Sequence, residues 1–474
     1  MLEFKANQNE NKGLYDVSLI QINSESPEKE ALKSVRDSFF NNLVVSLTKL
    51  IIATNLVLIG HMLYENKVDY ELFMTFQIGV FILEIFGKFF IVGILKHLFE
   101  DKEDIEELYK LYIKIKIGLI FLIPIIVLPI SICSYFIIGL LSKYNLEIYD
   151  QILIKKVYYQ FLLFTPIIYL FELLFILNLQ FLQYQKKTRD VFLYIIFFMI
   201  AHISCCWIFL YILETDIYGL TISYVFNTFL FYLSSNRYIR NLYDETKDNF
   251  FIFPKKEYFT CEIFTLLKEK AIQSLINIGD IFYIYFLFLA TLFTDKKQLI
   301  VNIIYINFYV LVNAINRGFY FSLKRHISTK IEEAQSRQRY VATFSFYFMV
   351  LCLSLFLLLI IFENILLNIY IYKGGDEVLQ IISIRLRIIF PLCFLISCIR
   401  MLLNGIVRGM NIISLSIIKK IIYFVIGIVL CLILCFDNDY GIYGLWMSTF
   451  ILNILLLIDT MHKAFNPLRQ FFHI

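Results

Sequence analysis

One acidic residue, Asp280, lies near the middle of a long apolar stretch, residues 268–293. A carboxylate surrounded by hydrocarbon must pair with another group, reach water or take up a proton, so such a residue is a candidate for function. Gln273 and Asn277 precede Asp280 by two turns and one turn of a helix. Two interpretations stay open: Asp280 binds a proton and a cation in alternation, or it bonds these amides and only holds a helix bundle together.

Other charged side chains also fall within apolar stretches. Lys49 lies inside the stretch 39–62, where an unpaired ammonium is costly, so we expect a partner for it. Glu84 and Lys88 are four residues apart and can pair on one helix face, either as a staple between helices or as part of a water-filled path. The candidate cleft or ion-pair residues are Lys49, Gln77, Glu84, Lys88 and Arg400.

The sequence contains no pattern typical of an enzyme. The six histidines form no Ser-His-Asp or HExxH arrangement, so we expect no catalysis and no metal or cofactor site. Eight of the nine cysteines lie in apolar stretches, which excludes an extracellular disulfide framework and indicates packing residues. The net charge of +4 is explained by basic residues at helix ends and requires no nucleic acid.

These residues are positioned by apolar segments that predict an all-α polytopic membrane protein. Of the 474 residues, 59% are hydrophobic and only 17% are charged. A helix needs about 20 apolar residues to cross a bilayer. Twelve segments satisfy this: 39–62, 71–95, 111–139, 157–182, 190–213, 217–235, 268–293, 298–323, 340–362, 379–403, 414–436 and 441–463.

The basic residues predict the orientation of the spans. About 28 Lys and Arg lie in the two tails and the even-numbered loops, against about 7 in the odd-numbered loops. Because basic residues stay on the cytoplasmic side, we expect both termini in the cytoplasm of a multi-pass protein of the plasma membrane or an endomembrane.

The polar segments predict the division of the chain. Residues 1–37 are expected to be a cytoplasmic tail that is disordered or loosely attached. A first lobe of six helices would cover 38–236 and a second lobe 268–464, joined by the cytoplasmic linker 237–267. Residues 465–474 would form a cytoplasmic tail.

The two predicted lobes are related by an internal repeat. Leu177 and Asn178 correspond to Leu403 and Asn404, and residues 217–223 contain the same Ile-Tyr-Gly-Leu as residues 442–448. A fixed offset of about half the chain indicates a duplication, as is common in transporters. Chance matching in an Ile- and Phe-rich chain is the other interpretation.

The segment 403–458 also resembles a known family. A helix ending in Gly405, Arg408 and Gly409, followed by a second helix and then by Gly444, Leu445 and Trp446, resembles helices ten to twelve of the MATE (multidrug and toxic-compound extrusion) family, eukaryotic type. Residues 179–185, with Gln183 and Gln185, resemble the Tyr-Leu-Gln-x-Gln motif that ends helix four of the family. The resemblance covers about 40–465 and is that of a divergent member.

The resemblance implies a transporter without enzymatic activity that exports organic cations or other small amphipathic xenobiotics in exchange for protons, with sodium as the less favoured ion. In the family, helix seven carries Glu-Trp-Trp-x-x-Glu, and Asp280 and Tyr285 fall at the two Glu positions. The acid that the family carries in helix ten is Ser397 or Cys398 here. The partners implied are the substrate, protons and the lipid bilayer, and two lobes in one chain predict a monomer.

Two other classes stay open. A lipid-linked saccharide flippase of the same superfamily would present several basic residues to the cleft, and Lys49, Lys88, Arg317 and Arg400 are candidates for that role. A membrane-embedded acyl or glycosyl transferase would carry a His or Asp motif in a loop, and the sequence has none.

Overall fold

The computed structural model describes residues 26–47, 105–144, 151–185, 187–242, 296–329, 334–374, 377–410 and 417–472, with single positions within 76–83 and 265–294. The described parts are helical, as predicted. The first half contains α1 (Pro27–Leu47), α2 (Ile105–Tyr144), α3 (Gln151–Gln160), α4 (Thr165–Tyr184), α5 (Thr188–Trp207) and α6 (Asp216–Leu242). The second half contains α7 (Lys296–Thr329), α8 (Ala334–Gly374), α9 (Glu377–Gly409), α10 (Ile417–Leu432) and α11 (Gly441–Phe472).

Seven described helical segments are long and apolar enough to cross a membrane. They are Glu107–Leu140, Ile154–Leu182, Asp190–Ile212, Ile217–Leu242, Gln338–Ile361, Ile384–Gly409 and Gly441–Phe465, with Ile421–Asp437 as a shorter apolar helix. The seven segments confirm the predicted spans three to six, nine, ten and twelve, and the shorter helix coincides with the predicted span eleven. Side chains such as Phe197, Leu357 and Ile388 are apolar and exposed, as expected where helices face lipid. The chain is an integral membrane protein.

Helix α1 corrects the prediction for the N-terminal tail. The helix begins at Pro27, and the Ser26 hydroxyl accepts a hydrogen bond from the backbone N–H of Lys29 at 3.5 Å. Residues 27–37 of the predicted tail therefore belong to this helix. Ala31 and Val35 are buried in this stretch. The prediction of a loosely attached tail is wrong from residue 27 onward, because a mostly polar helix buries a narrow stripe of small side chains on its neighbours.

The described helices pack mainly within each half, and the buried apolar residues of the two halves form one continuous cluster. In the first half, α4 packs on α2 and α6, and α5 packs on α6. In the second half, α9 lies between α7, α8 and α11, and α10 packs on α11. Helix α6 continues to Leu242, beyond the predicted lobe boundary at 236, and residues 243–264 of the predicted linker lie outside the described residues.

The junction between α5 and α6 and the junction between α10 and α11 have the same backbone geometry, and each is called an elbow below. Helix α5 ends in a π-helical turn, Ile208–Ile212, and α10 ends in another, Ile433–Asp437. In the first elbow the N–H of Thr215 donates a hydrogen bond to the carbonyl oxygen of Phe209 at 3.1 Å. In the second, the N–H of Tyr440 donates to the carbonyl oxygen of Leu434 at 3.3 Å. The repeat predicted from the sequence is thus a repeat of backbone geometry.

Candidate functional site

Part of the predicted site lies outside the described residues. This applies to Asp280, Tyr285, Asn277, Gln273, Lys49, Gln77, Glu84 and Lys88, and to the side chains of Gln183 and Arg317. The described members are Gln185, Arg400, Gly405, Arg408, Gly409, Gly444 and Trp446. Gln185 is half-buried just after α4. The other six belong to α9 and α11, and of these Gly405, Arg408 and Trp446 contact one polar stripe of α7.

This α7 stripe consists of residues three or four positions apart, which places them on one face of the helix. All its members are buried. They are Asn302, Tyr305, Tyr309, Asn313, Asn316 and Tyr320. Three amides inside a membrane helix need hydrogen-bond partners, and α9 and α11 supply them.

Trp446 closes one end of the α7 stripe. Its indole N–H donates to Oδ1 of Asn302 at 2.9 Å, and Nδ2 of Asn302 donates to Oγ1 of Thr291 at 3.2 Å. The Trp446 ring packs against Phe390, with ring centroids 4.9 Å apart, and against Tyr309, at 5.4 Å. The predicted motif residue Trp446 therefore joins α11, α7 and α9 in the core of the second half.

The middle of the stripe meets α9 where the family resemblance would place an acid. Oγ of Ser397 donates to Oδ1 of Asn313 at 3.0 Å, and Sγ of Cys398 donates to Oδ1 of Asn316 at 3.2 Å. Two hydrogen bonds between uncharged side chains thus occupy this position. Arg400, one turn after Ser397 on the same face of α9, is 6% exposed. Its guanidinium brings a permanent positive charge into the second half.

The glycine and arginine motif closes the other end of the stripe. A Cβ on Gly405 would lie 3.3 Å from the carbonyl oxygen of Tyr320, and one on Gly409 would lie 2.7 Å from Cβ of Ile327. The guanidinium carbon of Arg408 lies 5.8 Å from the centre of the Tyr320 ring. The two glycines let α9 approach α7 closely, and the arginine packs over the contact.

The first half has a polar cluster around Lys116 that the sequence interpretation missed. Lys116 is 1% exposed, and Nζ donates to the Tyr112 hydroxyl at 3.3 Å and to Oδ1 of Asn236. The Tyr112 hydroxyl donates to Oδ1 of Asn178 at 2.6 Å. Nζ also lies 5.4 Å and 5.2 Å from the ring centres of Tyr112 and Tyr232. A lysine inside the apolar run of α2 was the available signal.

The described side chains place buried cations in both halves. Lys116 and Arg400 are buried, one in each half, and Glu172 on α4 is the one Asp or Glu among the described side chains that is equally buried.

No protein-family profile matches this sequence, and no curated protein matches it. Solved structures do match. The eukaryotic MATE transporter AtDTX14 superposes with a TM-score of 0.63 at 13% identity, over 94% of this chain and 100% of that chain.

Two prokaryotic structures give similar values. A mutant of the Vibrio cholerae MATE transporter VcmN matches with a TM-score of 0.56 at 14% identity, over 94% and 97% of the two chains. A MOP superfamily transporter from Pyrococcus furiosus, described as having a binding pocket of reversed polarity, matches with a TM-score of 0.58 at 12% identity, over 94% and 97%. The chain is therefore an all-α polytopic membrane protein with the two-lobed fold of the MATE transporters.

Proposed function

We propose that the chain is a secondary transporter that exports organic cations or other small amphipathic solutes in exchange for protons. The observation that carries the proposal is the fold, which matches transporter structures over 94% of the chain. A pair of similar lobes can open alternately to the two sides of the membrane around one central site. The buried amides and tyrosines of the α7 stripe would contribute to that site, and no step of this process requires enzymatic chemistry.

Proton coupling is proposed for Asp280. A carboxylate within a membrane span can hold a proton or a bound cation but not easily both, and this mutual exclusion is what exchange requires. Tyr285 stands where the second acid of the family pattern would be, so one proton per cycle is expected. Gln273 and Asn277 would hold the carboxylate in place.

The test is uptake of ethidium into proteoliposomes under an imposed pH gradient. Asp280→Asn keeps the size and hydrogen bonding of the side chain and removes its titration, so we expect it to abolish gradient-driven uptake. Asp437→Asn, which changes an exposed carboxylate in the second elbow, is the matched control. Uptake by the Asp280→Asn variant at the wild-type rate, or a wild-type protein that ignores the gradient, would refute proton antiport.

A lipid-linked saccharide flippase is the second candidate, and buried Lys116 and Arg400 favour it. Such a substrate carries phosphate anions, which a buried ammonium and guanidinium would attract. The discriminating measurement is translocation of a fluorescent lipid-linked phosphosaccharide compared with ethidium, in wild type and in Lys116→Gln and Arg400→Gln. Loss of phosphosaccharide translocation in both variants, with no ethidium exchange by wild type, would establish the flippase instead.

A further inference from the structure

The polar cluster around Lys116 is a hydrogen-bond network that three helices of the first half supply. An ammonium is costly to bury without partners, and Lys116 lies within the apolar run of α2. Its described partners belong to α2, α4 and α6 and are called the Lys116 cage. They are Tyr112, Asn178, Tyr232, Ser235 and Asn236. The proposed exchange reaction uses none of them, so the cage needs an explanation of its own.

The hydrogens of the cage point away from Lys116. Oγ of Ser235 donates to the carbonyl oxygen of Tyr232 at 3.1 Å and accepts from Nδ2 of Asn178 at 2.8 Å. Oδ1 of Asn178 therefore faces the Tyr112 hydroxyl, which donates to it at 2.6 Å. Because the hydrogen of the Tyr112 hydroxyl is used in this bond, its oxygen accepts from Nζ of Lys116, at 3.3 Å.

The group at the centre of the cage thus meets acceptors and aromatic faces. Nζ of Lys116 donates to the Tyr112 oxygen and to Oδ1 of Asn236. The ring centres of Tyr112 and Tyr232 lie 5.4 Å and 5.2 Å from Nζ, within the range of a cation–π contact. An ammonium has three N–H donors and no acceptor, whereas an anion such as phosphate offers only acceptors. These surroundings therefore suit an alkylammonium ion and disfavour an anion.

We propose that the Lys116 cage is an alkylammonium-binding site, which the chain fills with its own lysine. The ammonium of Lys116 is a resident cation that joins α2, α4 and α6, and it is not offered to a solute. The flippase alternative would then lose Lys116 as a phosphate ligand and keep Arg400. In the proposed exchange, the exchanged cation would be left to Asp280, and this last consequence rests on the proposed function.

Truncation of the lysine with chemical rescue tests the cage. Lys116→Ala removes the ammonium together with three methylene groups, which is the size of n-propylammonium. We expect the purified variant to melt about 4–8 °C below wild type in detergent, and we expect n-propylammonium chloride to restore about half of that loss. n-Propanol has the same length without the charge and should restore nothing.

Two further variants are the controls. Lys116→Met fills the space without a charge, so n-propylammonium should not raise its melting temperature. Lys187→Ala removes an exposed lysine just before α5 and should melt as wild type does, with or without the salt. Rescue of Lys116→Ala by n-propanol as well, or no rescue of the folded variant by n-propylammonium, would overturn the cage.

The wild-type protein gives a second measurement that requires no variant to fold. Reductive methylation of the lysines, followed by mass spectrometry, should modify exposed Lys187 and leave Lys116 unmodified. Methylation of Lys116 in the folded protein would show that its ammonium is open to solutes and would overturn the proposal. A wild-type protein without ethidium exchange would instead refute the transport function, and both measurements of the cage would remain valid.

Discussion

The backbones of Glu214 and Asp439 adopt the same left-handed conformation, with φ of 48° and 54°, two residues after the π-helical turns of the two elbows. A left-handed residue other than glycine is uncommon, and its cost for an ordinary side chain is about 1–2 kcal/mol. Its recurrence at the same place in both halves indicates that the elbow geometry is required for packing. Gly219 and Gly444, which follow in α6 and α11, sit at the corresponding positions.

We predict that Gly444→Ala destabilises the protein. A Cβ at this position would lie 2.5 Å from the carbonyl oxygen of Leu434, so the second elbow must shift, at an expected cost of about 1–3 kcal/mol. Unfolding in a denaturing-detergent titration measures this cost. Gly139→Ala is the control, because a Cβ there meets no atom within 4 Å, and we expect it to be neutral or stabilising. Equal stability of the two variants would contradict the packing role of Gly444.

The bond between Trp446 and Asn302 predicts a coupled pair. Asn302→Leu leaves a buried indole N–H without its acceptor, with an expected cost of about 1–3 kcal/mol. Combining it with Trp446→Phe removes the donor as well, so the double variant should lose less stability than the sum of the two single variants. The free energies of unfolding of wild type, the two single variants and the double variant measure the coupling energy, which we expect to be about 1 kcal/mol. Strict additivity would show that the bond contributes nothing.

The charge distribution predicts the topology. An engineered glycosylation site in the turn at residues 213–216 should be modified in a eukaryotic host, because this turn is expected outside the cytoplasm. A site at about residue 245 should stay unmodified, and tags on either terminus should be accessible only from the cytosol. The reverse pattern of modification would show that the orientation is inverted.

The sequence by itself determined the membrane spans and the repeat. Hydropathy over about 20 residues is a local property, so the spans from Glu107 onward could be read from composition. The Gly-x-x-Arg-Gly and Gly-Leu-Trp patterns carried the family resemblance, because a motif is visible without the fold.

Only the tertiary structure decided what the buried polar side chains contact. Lys116 is far in sequence from Tyr232 and Asn236, and they meet because α2 and α6 both pack on α4. The α7 stripe appears in sequence as scattered Asn and Tyr residues, and its partners Ser397, Cys398 and Trp446 come from α9 and α11. Likewise, the polar exterior of α1 suggested a loose tail, because burial of Ala31 and Ser34 depends on distant helices of the other half. Hydropathy is summed over neighbouring residues in the sequence, whereas these contacts depend on how helices that are distant in the sequence pack against each other.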